Sequence, residues 1–120
     1  MLKFIELDEN KRPLNTFDIF STTCEHMENA GLLLNNNTVV VDFDNDNENE
    51  EKIINYILQR YPTLYLKTTR GIHLYYSKPK NTLIKSGADK ITVGGFQVDY
   101  KTGNKSYTIV KQNGEMRERS

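Results

Sequence analysis

The chain has 120 residues with sixteen basic and sixteen acidic side chains, so its formal net charge is zero, and 37% of it is hydrophobic. That length suits one compact domain able to bury roughly two-thirds of the surface its unfolded chain would expose, and the single cysteine, Cys24, excludes a disulfide scaffold. One thiol without a signal-peptide pattern points to a reducing, cytoplasmic setting, and no apolar run approaches the roughly 20 residues of a membrane span.

In chain order, Met1–Leu7 alternates and is expected as a short strand, and Asn10–Asn15, with Pro13, as a turn. Thr16 is placed to N-cap a helix running to about Ala30. Phe17, Phe20, Cys24 and Met27 recur there at three- and four-residue spacings, and Gly31 supplies the stop. Leu32–Leu34 and Thr38–Phe43 follow as strands around Asn35–Asn37. The run Thr38-Val39-Val40-Val41-Asp42-Phe43 is β-branched and apolar, like a central strand. Glu48–Tyr61 carries the clearest helical stripe, in Ile53, Ile54, Ile57, Leu58 and Tyr61. Glu48, Glu50 and Glu51 sit at the positive end of its dipole, and Pro62 ends it.

Past Pro62 the period changes to two. Thr63–Thr68 and Ile72–Ser77 are expected as a hairpin across Thr69-Arg70-Gly71. Lys78–Ala88 reads as a polar connection. Gly95–Tyr100 and Ser106–Lys111 are expected as a second hairpin, with Gly103-Asn104 near its tip. Helix, strand, helix and four strands predict an α+β fold, a mainly antiparallel sheet with helices on one face.

The net zero averages three unlike segments. Residues 1–41 carry three bases and six acids, net −3; residues 42–51 carry six acids and no base, net −6; residues 52–120 carry thirteen bases and four acids, net +9. An acidic knot beside a basic body can gather cations in one place and anions in another.

Asp42 and Asp44 flank Phe43 at the end of the apolar strand, so alternation sends both carboxylates to one face and Phe43 to the other. Two like charges on one face are best explained by a cation between them, and hard oxygen donors suit Mg²⁺ or Mn²⁺. The later acids, Asp46, Glu48, Glu50 and Glu51, are explained by helix-terminus preference. An EF-hand is excluded, because its sixth and twelfth positions fall on Asn47 and Ile53 rather than glycine and glutamate. Lys67, Arg70 and His73 cluster around the Gly71 turn, which would let an anion approach the backbone. Arg70 and a protonatable His73 suit phosphate oxygens. His73 and Tyr75 share one strand face, Leu74 and Tyr76 the other. Asp99 sits mid-strand between Val98 and Tyr100 and needs a partner or a cation. With Asp42 and Asp44 it makes a plausible two-metal cradle. Lys101 and Lys105 follow as anion contacts.

These stretches resemble the primase-polymerase (Prim-Pol) domain of the archaeo-eukaryotic primase superfamily, of the kind found in replication proteins of plasmids, phages and other mobile elements. Lys11-Arg12-Pro13 is similar to its early Lys-x-Pro turn and Thr38–Asp44 to its Asp-hydrophobic-Asp motif. Thr69–Tyr76 is similar to its small-x-His motif, and Val98–Lys101, with the strand Ser106–Val110, to its third motif. The likeness spans about residues 11–111. It implies an RRM-like, mainly antiparallel sheet bearing the acids, with a small N-terminal α/β unit beside it. It also implies Asp42, Asp44, His73 and Asp99 as catalytic residues, and Asp42, Asp44 and Asp99 as holders of two divalent metals. Arg70, His73, Lys101 and Lys105 would bind the nucleotide. The reaction implied is metal-dependent transfer from a nucleoside triphosphate to a 3′-hydroxyl on a single-stranded DNA template. A helicase or other replication protein, in cis or in trans, is the expected further partner.

Two departures qualify the likeness. Family polymerase domains are usually longer, so residues 1–120 read as a single Prim-Pol-like catalytic domain that is a fragment or minimal form, with any template-holding helices lying beyond Ser120 or on another protein. Ile72 stands where a second glycine is common. Two rivals remain: an inactive or regulatory nucleotide- or nucleic-acid-binding module on the same scaffold, and a metal-dependent nuclease built on Asp99-x-Lys101.

Overall fold

The computed structural model describes residues 1–44, 48–77, 87–93, 96–103 and 105–120. In chain order these form β1 (Phe4–Glu6), β2 (Ala30–Leu33), β3 (Thr38–Phe43), α1 (Glu48–Arg60), β4 (Tyr65–Lys67), β5 (Ile72–Ser77), β6 (Gly87–Val93), β7 (Phe96–Thr102), β8 (Tyr107–Gln112) and β9 (Glu115–Met116). One sheet has the order β1-β2-β8-β9 and the other β4-β5-β3-β7-β6. Every pairing in both is antiparallel. The α+β class and the mainly antiparallel sheet are as expected. So are the bounds of β3, β5 and α1, where the apolar periodicity is strongest.

The five-stranded sheet is the middle layer. On one face, Phe43, Ile72 and Leu74 pack with Ile54 of α1, backed by Val41, Ile57, Leu58, Tyr65 and Tyr76. Phe43 and Leu74 are 0% and 1% exposed, and burying side chains of that size stabilises by about 2–3 kcal/mol each. On the other face, Leu66 and Tyr75 meet Val110 and Leu32 of the first sheet together with Cys24 and Met27. Alternation along β5 thus sends Leu74 and Tyr76 to the helix, and His73 and Tyr75 toward the other sheet.

Residues 16–30 are not the expected helix. Among the described residues α1 is the only helix, so the N-terminal unit is a sheet with an irregular loop rather than an α/β unit. Ser21, Thr22 and Thr23 interrupt the apolar spacing with side chains that compete for backbone groups. The Thr16 hydroxyl bonds Asp18 instead of capping, and the Ser21 hydroxyl accepts from Thr23 N at 3.3 Å. Ser21 also exchanges backbone bonds of 2.7 and 2.8 Å with Phe4, pinning the loop to β1. Cys24 and Met27 are nonetheless buried. Buried Lys111 fastens their turn, its Nζ donating to Cys24 O at 3.1 Å and Glu25 O at 3.2 Å.

The expected hairpin of residues 95–100 with 106–111 is also replaced. β7 pairs with β3 and β6, while β8 leaves for the first sheet and pairs with β2. The chain changes sheets twice at one place, at Asn35–Asn37 and at Gly103–Ser106. The two crossings hold each other through Gly103 N to Asn35 O (3.2 Å) and Leu34 N to Ser106 O (2.9 Å). The sequence reading also missed β6, which begins inside the stretch read as a polar connection, and β9. Asn113 and Gly114, with φ of 51° and 81°, make the β8–β9 turn, and positive φ at both central residues marks a type I′ hairpin. Asp46, Asn104 and most of Lys78–Ala88 lie outside the described residues.

After β9 the chain crosses back. Arg117 N donates to Val110 O at 2.8 Å, Lys67 N to Glu118 O at 2.8 Å, and Ser120 N to Tyr65 O at 3.0 Å. The last residues therefore lie along the edge of β4 and tie the two sheets together.

Candidate functional site

β3 is the middle strand of the middle layer. Near its end Asp42 has His73 of β5 as its cross-strand partner on one side and Asp99 of β7 on the other. Leu66 of β4 pairs in turn with His73. Directly opposed residues of antiparallel strands share a face, so one row reads Leu66, His73, Asp42, Asp99 across four strands. The adjoining row carries Tyr75, Val40 and Lys101.

His73 is 6% exposed. Its Nε2 lies 3.3 Å from Asp42 Oδ1, and its Nδ1 is buried with no hydrogen-bond partner. Asp44, one step past β3, faces Arg70 at 3.8 Å. Both side chains are largely exposed, so this pair contributes little to stability.

The Thr68–Gly71 turn positions Arg70. Thr68 N donates to Gly71 O and Gly71 N to the Thr68 hydroxyl, each at 3.0 Å. A Cβ on Gly71 would stand 1.7 Å from Phe43 O and 3.1 Å from Asp44 Cα. The glycine therefore serves the docking of this turn on the end of β3. The space the sequence reading offered to an anion is filled by the Phe43 carbonyl.

A cleft of about 150 Å³ opens here. Its lining includes Asp42, Asp44 and His73, the cations Lys11, Arg70, Lys101 and Arg117, and Thr68, Thr69 and Ile109. Lys11 reaches it from a turn in which Asp8 Oδ1 accepts from Asn10 N (2.8 Å) and Arg12 N (3.0 Å). The Tyr107 hydroxyl donates to Lys11 O at 2.8 Å. These bonds hold Lys11 at φ 66°, a conformation that costs a non-glycine residue free energy. Arg117 arrives from the segment after β9. Its Nη1 donates to Ile109 O at 3.0 Å and its Nη2 to Gln112 Oε1 at 3.1 Å. Burial pulls its pKa below the ordinary value, and Tyr75 and Asp42 pull it back up. Tyr75 shares a 2.7 Å hydrogen bond with the Thr108 hydroxyl.

Lys11, Arg70, Lys101 and Arg117 give the cleft more cations than the two carboxylates, Asp42 and Asp44, that line it. A family model described as bifunctional DNA primase/polymerase, N-terminal (Prim-Pol) matches residues 8–115. The chain belongs to the Prim-Pol family. Comparison with curated proteins and with solved structures gives no match.

Of the residues singled out in the Prim-Pol sequence, the cleft gathers Asp42, Asp44, His73, Arg70 and Lys101. Asp99 is not in the cleft lining and is linked to it by its strand pairing with Asp42. Lys105 stands exposed beyond β7, outside the cleft lining. With the side chains as they stand, no three acidic, histidine or cysteine groups among the described residues converge to hold a metal ion. The donors do suit a hard divalent ion in kind, since Asp42 and Asp99 present carboxylates from paired positions on one face. Sequence reasoning did not assign Arg117, Thr68 or Thr69 to the site, and placed Lys11 only in a turn motif. A second groove, of about 470 Å³, lies on the helix side between α1 and the β4–β5 turn, with Glu51, Asn55, Leu58 and Lys67 in its lining. It holds none of the strand-borne acids, which the smaller cleft carries as Asp42 and Asp44.

Proposed function

We propose that this Prim-Pol domain is a nucleotidyltransferase that builds or extends a primer on single-stranded DNA during replication of a mobile element or phage. The supporting observation is the placement of Asp42 between His73 and Asp99 in one row, beside a cleft carrying four cations. In the reaction a 3′-hydroxyl oxygen, losing its proton to solvent, bonds to the α-phosphorus of a nucleoside triphosphate as the bond to pyrophosphate breaks. Two Mg²⁺ or Mn²⁺ ions, held by Asp42, Asp44 and Asp99, would supply Lewis acidity at the transferring phosphate. His73, held beside Asp42 through Nε2, turns its Nδ1 to a phosphate oxygen. That gives its otherwise bare nitrogen a partner. Arg70 and Lys101 neutralise the triphosphate, while Lys105 lies outside the cleft lining. Such preorganised donors stabilise charge that develops in the transition state. A helicase or another replication protein would present the template, in a cytoplasmic setting.

The test incubates the protein with Mg²⁺ or Mn²⁺, labelled nucleotide and single-stranded template, beside an Asp42→Ala/Asp44→Ala variant of unchanged thermal stability. Incorporation should fall at least about 100-fold in the variant, the scale of losing transition-state charge stabilisation. Template cleavage without synthesis would overturn the reading in favour of a nuclease using Asp99 and Lys101. Binding of nucleotide or DNA with neither activity would overturn it in favour of a regulatory module.

A further inference from the structure

The family match ends at residue 115, but the cleft wall does not. Arg117 is positioned from both sides by backbone: its own N bonds Val110 O, and the next residues are laid along β4 through the Lys67 N to Glu118 O and Ser120 N to Tyr65 O bonds. Its guanidinium is half-buried and anchored to Ile109 O and Gln112 Oε1. An arginine has five N–H donors, so three remain. Among the described residues no carboxylate lies within ion-pair distance of it. A cation withdrawn from water is ordinarily paired. For this one the attraction comes from Asp42, which lines the same cleft without ion-pair contact, beside His73 and Lys101.

We propose that Arg117 is a phosphate-binding residue of the cleft, its planar fork aimed by the Ile109 carbonyl and Gln112, and its position fixed by the strand pairing of residues 118–120. This rests on the reading above that the cleft takes phosphates. The bound oxyanion belongs either to a free nucleoside triphosphate or to the backbone of a DNA strand. Arginine suits the site better than lysine would, because a fixed fork engages two oxygens at once.

The experiment measures binding of dATP by calorimetry and of a labelled single-stranded oligonucleotide by anisotropy. It uses the full chain and a series of salt concentrations, comparing wild type with Arg117→Ala and Arg117→Lys. Thermal melting checks the fold, and Arg117→Gln, which can keep an anchor bond without the charge, replaces the alanine variant if that one does not fold. The expected result is at least a tenfold loss of affinity for the ligand that Arg117 touches, partly restored by lysine. A loss confined to dATP assigns the triphosphate. A loss confined to the oligonucleotide assigns the backbone, and the slope of log affinity against log salt should then flatten by about 0.7, the value of one single-strand phosphate contact. Unchanged affinity for both ligands in a folded variant overturns the assignment of Arg117 and leaves the proposed function standing. A weaker oligonucleotide with an unchanged salt slope, and no loss for dATP, also overturns it, since that is what a merely structural role gives. Wild-type protein that binds neither ligand overturns both.

Discussion

Tyr75 shows how closely the cleft is coupled to the core. Its ring packs among the apolar residues between the sheets, and its hydroxyl meets Thr108. Burial pushes its pKa up; the Thr108 bond and Arg117 oppose the rise, and Asp42 adds to it. A phenol whose folded pKa is raised holds its proton more tightly in the folded state than in the unfolded one. Its contribution to stability is therefore complete below about pH 10, the ordinary tyrosine value, and is lost as pH climbs through the higher folded value. Tyr75→Phe should cost about 1 kcal/mol at pH 8, the worth of a typical hydrogen bond. The gap from wild type should close above pH 10, in urea unfolding followed from pH 8 to 11. Parallel curves across that range would mean that another group controls the alkaline loss. The cleft residues differ in how legible they were. Asp42, Asp44, His73 and Asp99 each sit in a short pattern whose alternation fixes a face. Arg117 sits in no pattern, and only the return of the chain from β9 to β4 brings it to the site.

The element that sets the cleft's floor is the Thr68–Gly71 turn against the end of β3. Because the Phe43 carbonyl occupies the place of a Gly71 side chain, Gly71→Ala must push the turn away from β3. The expected cost is about 1–3 kcal/mol, the range for forcing atoms into a filled space, read as a lower denaturation midpoint. Nucleotide affinity should fall with it, since Arg70 rides on that turn beside Asp44. A variant of full stability would show that the turn does not rest on the strand. Other elements were legible wherever periodicity was strong and local, as in β3 and α1. The helix expected over residues 16–30 from its spacing, the Thr16 cap and the Gly31 stop does not form. Cys24 and Met27 are indeed buried, but Ser21 between the apolar positions bonds the backbone of Phe4 and Thr23 instead. The pairing of β7 with β3 rather than β8 depends on the crossing at Gly103–Ser106, a contact with Asn35 nearly seventy residues away that no local pattern encodes. Asn113-Gly114 did carry a hairpin signal of its own.

Across the whole molecule, the two sheets are joined by the crossings at Asn35–Asn37 and Gly103–Ser106 and by residues 117–120 along β4. A chain ending at Arg117 would lose the two backbone bonds from residues 118 and 120 to β4, together with the Tyr65 N to Ser120 hydroxyl bond of 3.2 Å. Partly exposed bonds of this kind contribute about 0.5–1 kcal/mol each, so stability should fall by about 2 kcal/mol in thermal melting. The bared edge of β4 should also promote association between copies, as unpaired strand edges do, visible as a concentration-dependent sedimentation coefficient. A shortened chain that stays monomeric and equally stable would remove the tail from the architecture. The same scale explains the zero net charge. The acids gather at the end of β3 and the start of α1, and the cations that line the cleft come from the turn at Lys11, from Arg70, from β7 and from the final segment.

The bare Nδ1 of His73 makes the free protein locally frustrated. A buried polar atom without a partner costs about 1–3 kcal/mol, and the described residues around it provide none. On the reading proposed above, a phosphate oxygen supplies that partner. A phosphate seated against that nitrogen would gain its own contact and also satisfy the imidazole. Part of the affinity of the proposed phosphate contact would thus originate in the fold rather than in the ligand.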